Sequence, residues 1–346
     1  MPQSPAAIRP PLAILDRVET AARQDPPQLD ADRAVHEGCG MLDRSERGKL
    51  AFRGDGAKTF LQGQVTNDVE ALASGGGCYA AVLSPKGKML GDLRILDTGE
   101  ELLLDTERSA LQAIFNVLHR ARLGFDAELH KRTLQRGLLS LAGPDARRVA
   151  GAEAQALPDE EHAHARVDID GIAARAIVTD VGVDLLCDAG DTEALAAALR
   201  ERGALPVPET AVETLRVERG RPRFGVDLDD TTIPQEAGLN ERAVSFSKGC
   251  YVGQETVARL YYKGKPNRHL RGLRLSAPVA PGTELTLDGK PVGRLGSVAD
   301  SPAHGPIGLA LVRREAEPGA TLAAGTATAT VAELPFGHQR PRAGVG

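Results

Sequence analysis

The chain has 346 residues, a formal charge of −5, 42% apolar and 3% aromatic residues, and no tryptophan. That length calls for two or three domains, and the mild acidity excludes a global basic field for nucleic acid. No apolar run approaches the roughly 18 residues of a membrane span, no secretory leader is expected, and any ligand pocket must be mainly aliphatic.

Residues 1–30, rich in Pro, Ala and Gln, are expected to be mobile, with a short helix start at Leu12-Ala13-Ile14-Leu15 and order from near Ala34. Residues 48–54 alternate as a strand does, and 55–62 follow as a helix with Asp55 as its N-cap. Strands are predicted at 78–83, 92–97 and 101–104, separated by the turns Ser84-Pro85-Lys86-Gly87 and Thr98-Gly99. A helix over 109–123 carries apolar residues at Leu111, Ile114, Phe115 and Leu118. A strand at 138–141 ends at Gly143-Pro144, with Asp145 capping the next helix. Strands at 173–178 and 183–187 and helices at 192–202 and 209–218 continue the mixture, which points to α+β layers. Beyond Arg268 helical periodicity is lost. Short strands at 270–275, 284–287, 291–297, 307–311 and 326–332, broken by Pro and Gly, predict a small antiparallel barrel or sandwich.

The densest chemistry lies in Lys248-Gly249-Cys250-Tyr251-Val252-Gly253-Gln254-Glu255. It reads as a loop presenting the Cys250 thiol, with Lys248 lowering its pKa; the plainer alternative is a small buried hydrophobe. The nearest histidine in sequence is His269, so a Cys/His pair is possible only through the fold. The four cysteines, at 39, 78, 187 and 250, show no CxxC pair. They argue against a disulfide framework or a thiolate zinc site and for a reducing cytoplasm. Cys78 and Cys187 sit in apolar strand patterns and are predicted to be buried, Cys250 to be reachable.

Gly253 lets the backbone approach a ligand or take positive φ, and Glu255 suits a first helical turn; a glycine turn with a capping carboxylate explains much of this. Arg259 stands four residues beyond Glu255 and can pair with it. Arg259, Lys263, Lys265, Arg268, Arg271 and Arg274, interleaved with Tyr261 and Tyr262, form either a polyanion-binding patch, for polyglutamate or RNA, or a solvated face. In Lys86-Gly87-Lys88-Met89-Leu90-Gly91-Asp92 the carboxylate either caps a turn or accepts the amino and ring N–H groups of a pterin. His162 and His164 read as surface residues, and no metal site is assigned.

Taken together these segments resemble the glycine-cleavage T-protein superfamily, and within it the YgfZ-type folate-binding branch linked to iron–sulfur cluster maintenance and tRNA modification. The matching pieces fall in family order: Leu61-Gln62-Gly63-Gln64-Val65-Thr66-Asn67-Asp68, residues 79–92, Leu141-Ala142-Gly143-Pro144, Thr214-Leu215-Arg216-Val217-Glu218-Arg219-Gly220, and the octapeptide. The resemblance implies two ferredoxin-like α+β domains, one interrupting the other, and a C-terminal antiparallel β-barrel around a central folate channel. The corresponding divisions are 1–30, 31–52 with 134–236, 53–133, and 237–346. It implies tetrahydrofolate or a reduced derivative as cofactor, with Cys250, Lys248 and Asp92 in the chemistry. Asp92, Tyr251, Gly253, Gln254, Glu255, Arg259 and Arg216 would lie around the folate. The partners implied are the folate, an iron–sulfur client enzyme and tRNA, with no membrane. One departure stands out. The family's Gly-Tyr-Thr-Gly-Glu segment corresponds to Thr179-Asp180-Val181-Gly182-Val183-Asp184, where only Gly182 survives and the glutamate is missing. The expected role is therefore a folate-binding accessory protein, with a glycine-cleavage aminomethyltransferase and a non-catalytic adaptor for a client protein or tRNA as alternatives.

Overall fold

The structure, a computed structural model, describes residues 28–337. The helix start at 12–15 and nearly all of the segment expected to be mobile lie outside those residues. The described chain opens on a helix, Gln28–Glu37.

Two sheets and a barrel follow. The first sheet has six strands, in the order Leu205–Pro206, Gly40–Asp43, Arg136–Ala142, Gly182–Asp188, Ile172–Val178, His164–Ile169. All neighbours are antiparallel except Leu205–Pro206, which runs parallel to Gly40–Asp43. Along Gly182–Asp188 alternate residues Val183, Leu185 and Cys187 enter a core with Leu139, Leu141, Leu195 and Leu199. Asp184 and Leu186 therefore face the opposite side. The second sheet has five antiparallel strands, in the order Gly77–Leu83, Met89–Asp97, Leu102–Thr106, Gly48–Arg53, Glu128–Lys131. Its outer face packs Phe52, Ile95 and Leu104 against Phe60 of the helix Ala57–Gln62 and Ile114 and Leu118 of the helix Arg108–Ala121.

Met89–Asp97 is buried on both faces, because the inner face of its sheet meets the first sheet. Ala51, Leu96 and Leu103 there touch Ile177 and Leu186. The sheets thus stack through an apolar contact at one end, leaving the other end to polar residues.

The C-terminal strands close into a six-stranded antiparallel barrel around Leu273, Leu285, Leu295, Val312, Leu322 and Val331. The helix Glu209–Glu218 bridges to it through Val217, which packs with Leu270, Ile307, Leu309 and Phe336. The α+β class and the C-terminal barrel are as expected. No helix among the described residues is long and apolar enough to cross a membrane.

Several local expectations need correction. Gly48–Arg53 pairs with Leu102–Thr106 and Glu128–Lys131, so the division expected at 52 falls inside a strand of the second sheet. Alternation marks a strand but does not name its partner. Asp55 caps nothing: the helix begins at Ala57 with Gly56 as N-cap. Asp145 occupies its N-cap position, but its carboxylate accepts from Arg148 at 2.6 Å instead of from the backbone. The strands Gly40–Asp43, Glu128–Lys131, His164–Ile169 and Thr321–Ala324 went unpredicted; they are short or polar and take their order from neighbours.

Candidate functional site

The polar end of the space between the sheets is built around Asp92. The residue sits mid-strand, opposite Ala81 on the neighbouring strand, and is 6% exposed. The Tyr79 hydroxyl donates to its Oδ2 at 2.7 Å; among the described residues no hydrogen bond reaches Oδ1. Burial pushes the Asp92 carboxyl up to about 6, against the lowering effect of the Tyr79 hydroxyl and with a further rise from Glu107. Burial likewise drives the Tyr79 phenol far above its usual range.

Residues from distant parts of the chain surround this pair and the strand that carries it. Arg242, from the short helix Asn240–Ala243, lays its guanidinium 4.6 Å from the Tyr79 ring centre and donates from Nε to Glu161 at 3.1 Å. Asn67 donates to the Tyr79 carbonyl at 2.9 Å and to the Arg242 carbonyl at 3.3 Å. Arg94 bridges the sheets, donating to Asp105 at 2.9 Å and to Asp184 at 2.8 Å, while Ser140 donates to Asp184 at 2.6 Å. Burial opposes ionisation of Asp105, but Arg47 and Arg94 outweigh it and hold its carboxyl below the usual range.

Both histidines expected at the surface are buried, His162 at 7% and His164 at 3% exposure. His164 accepts from Arg175 at 2.8 Å and faces the Gly76 carbonyl at 3.2 Å; burial, then Arg175, pushes it down to about 4. Their polar neighbours in sequence hid a strand that opens between the sheets. The loop 179–182 also keeps an acid near the site: Asp180 accepts from Arg221 at 2.9 Å, and its field reaches His162 and Arg242. Tyr79, Arg242, Asn67 and Glu161 were not singled out as site residues from sequence, and His162 was read as a surface residue; Tyr79 and Asn67 lie inside the matched segments, whereas Arg242, Glu161 and His162 lie outside them.

The octapeptide is docked, not free. Lys248 is 9% exposed and its Nζ donates to the carbonyls of Gln62, Val65 and Asn67 at 2.6, 2.9 and 2.7 Å. Those three contacts use all three ammonium donors. Burial pushes Lys248 down to about 8, so at neutral pH it remains mostly the ammonium that the carbonyls require. Its charge acts on the Cys78 thiol, against the rise that burial imposes there. The sequence reading placed Lys248 beside the Cys250 thiol; in the structure its ammonium is bonded to the carbonyls of the segment 61–68, to which it pins the octapeptide.

Gly253 has φ of 83°, and a Cβ there would stand 2.6 Å from the Ser84 carbonyl oxygen. Its glycine character serves a backbone approach to the turn before Asp92. Tyr251, 8% exposed, packs with Ala81, Leu83 and Met89. Gln254 starts the helix Gln254–Lys263. Cys250 is exposed and Cys187 buried as expected, whereas Cys78 is only partly covered. Glu255 and Arg259 are exposed and do not pair.

Arg216 is also consumed by the protein. It donates to Glu213 from Nε at 3.0 Å, to Asp227 from Nη1 at 3.0 Å, and further to Glu213, the Arg221 carbonyl and Ser297. All five guanidinium donors are engaged, which leaves none for a folate. The basic run divides. Arg268 pairs with Glu236 at 2.8 Å and Arg274 lies over Phe336, whereas Arg259, Lys263 and Lys265 stay exposed beside Tyr261, which stacks on Phe246 at 3.8 Å.

A cavity of about 840 Å³ lies alongside, lined by Thr179, Asp180, Gly182, Glu218, His304 and Phe336 among others. It joins the 179–182 loop to the bridging helix and the barrel, but Asp92 is not in its wall.

Comparison with known proteins agrees with this architecture. Residues 24–248 match the family model of the GCVT N-terminal domain, and residues 268–336 match the CAF17 C-terminal β-barrel domain. The chain is 30% identical, over 93% of its length and 76% of the relative's, to a chloroplastic protein of Arabidopsis thaliana whose name marks it as a candidate transferase. It is 31% identical to the aminomethyltransferase of Rubrobacter xylanophilus, over 87% of this chain and 84% of the relative. The structure of the glycine cleavage system aminomethyltransferase T from Bartonella henselae superposes with a TM-score of 0.79 at 25% identity, covering 90% of each chain.

Proposed function

Because the chain belongs to the GCVT N-terminal domain family, we propose that it binds a reduced folate at the polar end of the inter-sheet space, with Asp92 as the acceptor for the pterin ring. The observation that carries this reading is the state of Asp92: a buried carboxylate with one oxygen held by Tyr79 and the other without a protein partner. A pterin edge presents neighbouring N–H donors, and a carboxylate oriented from one side is suited to receive them.

Bound tetrahydrofolate supplies a one-carbon acceptor at its ring and bridge nitrogens. Asp92, with its pKa near 6, exchanges a proton close to physiological pH. Tyr79 orients that carboxylate, and Arg242, fixed by Glu161, holds the tyrosine ring. Calorimetry with tetrahydrofolate on the wild type and Asp92→Asn tests the assignment. The wild type is expected to bind and the variant to lose ~10-fold or more; equal affinities would remove Asp92 from the site.

In this reading the protein is an accessory to iron–sulfur enzymes, including a tRNA-modifying one. The exposed Cys250 is the group offered to the client, and the exposed cations and tyrosines of 259–265 are its docking face. The free thiols at 39, 78, 187 and 250 suit a reducing compartment such as the cytoplasm. Loss of iron–sulfur enzyme activity in cells carrying Cys250→Ser, with normal folate binding, is the expected result.

Aminomethyl transfer is the second reading, favoured by Asp180: the loop lacking the family glutamate still brings a carboxylate near Arg242. Methylene transfer from a lipoyl-bound aminomethyl group separates the two readings.

A further inference from the structure

His162 is a buried side chain whose polar atoms have no work within the fold. Among the described residues neither ring nitrogen has a hydrogen-bond partner. Glu161 Oε1 stands 3.7 Å from Nε2, outside hydrogen-bonding range. A buried polar group without a partner costs stability, and native structures carry few of them.

The backbone holds the residue there at a further cost. His162 has φ of 74°, an uncommon conformation for a residue with a side chain. It is fixed by its N–H donating to the Val178 carbonyl at 2.8 Å and by the next N–H but one, His164, donating to the Gly75 carbonyl at 2.8 Å. Gly77 makes room for the base of this side chain: a Cβ there would come within 2.9 Å of His162 Cβ. Strain and an unsatisfied polar group at one position point to function more than to packing.

The surroundings say which site it serves. Arg94, Arg242, Asp184 and Asp180 are the charges that act on the ring. Arg242 in turn covers Tyr79, the partner of Asp92. Burial first, and then the two arginines, push the imidazole down to about 3, so it is neutral at every physiological pH. A neutral imidazole offers one donor and one acceptor.

We propose that His162 is a ligand-binding residue of the inter-sheet site, pairing a donor and an acceptor with polar edge atoms of the bound heterocycle. This deepens the folate reading and rests on it. The chemistry recognised is that of a neutral, hydrogen-bonding ring, in contrast to the anionic tail of a folate, for which an uncharged imidazole has little use.

The test is calorimetry with tetrahydrofolate on the wild type, His162→Leu, His162→Asn and Asp92→Asn, with ¹⁵N imidazole spectra of the wild type. His162→Leu is expected to weaken binding by ~10-fold; its melting temperature gains from loss of an unsatisfied polar group and falls from a bulky side chain held at positive φ, so the readout is the affinity of the folded variant. His162→Asn keeps a donor and an acceptor and tolerates positive φ, so it should recover part of the affinity. In the wild type, saturating folate should shift the His162 nitrogens. Unchanged affinity in His162→Leu, alongside weakened binding in Asp92→Asn, would overturn this inference and leave the folate reading intact. Absence of binding to the wild type would overturn both.

Discussion

Lys248 and His162 are both buried and polar, yet they are treated in opposite ways. Every donor of Lys248 meets a backbone carbonyl. Neither nitrogen of His162 has a hydrogen-bond partner among the described residues. The same contrast separates Arg216, all of whose donors are engaged, from Asp92, which keeps one oxygen without a hydrogen bond. A polar residue whose capacity is used up inside the protein is scaffold, however reactive its motif looks. One left incomplete, at a cost in stability, is available to a ligand.

Removing a saturated group should therefore damage the fold, and removing an incomplete one should not. The largest effect is expected for Arg216→Met. Asp227, whose side chain is 0% exposed, would lose its guanidinium and remain as a buried charge. The expected loss is about 3–5 kcal/mol in chemical denaturation, and a near-native melt would show that Arg216 is no linchpin. Lys248→Met comes next. It orphans three carbonyls, and a loss on the order of 3 kcal/mol is expected, with faster proteolysis around residues 248–255. Retained stability would return Lys248 to the list of candidate site residues.

Asp92→Asn should move the other way. Its carboxyl has a folded pKa of about 6 against the ordinary aspartate value of 3.8. A raised carboxyl pKa contributes stability below the unfolded value and loses it as pH rises through the folded one. At pH 7 the ionised group therefore costs up to roughly 3 kcal/mol, which the amide avoids. The variant should melt higher than the wild type at pH 7, with the gap closing between about pH 6 and pH 4. A pH-independent gap would mean that ionisation of Asp92 is not the source.

The smallest effect is expected for Cys250→Ser. The thiol is exposed, so the change should fall within about 0.5 kcal/mol, and thiol labelling of the native protein should mark Cys250 before Cys187. Labelling of Cys187 first would contradict the exposure of the loop.

The elements longest in sequence were the most legible. The helices Arg108–Ala121 and Glu209–Glu218 and the barrel strands follow from apolar spacing and from Pro and Gly punctuation. Of the candidate site, the exposure of Cys250 was readable from a thiol between glycines, whereas Asp92 was put forward by the resemblance, since its spacing fits a turn cap equally well. The roles of Lys248 and Arg216 were not readable. Both stand in dense motifs, and nothing local distinguishes a cation facing a ligand from one facing carbonyls far along the chain.

Periodicity and turn residues, which act over a few positions, set the α+β class and the short antiparallel strands after Arg268, but left barrel and sandwich open. It took the assembled fold to close those strands into a barrel, to join Gly48–Arg53 to the second sheet, to pin the octapeptide to 61–68, and to bury His162 without a hydrogen-bond partner among the described residues. Each of these depends on contacts between residues distant in the chain, where burial and hydrogen-bond satisfaction are set by what arrives from elsewhere.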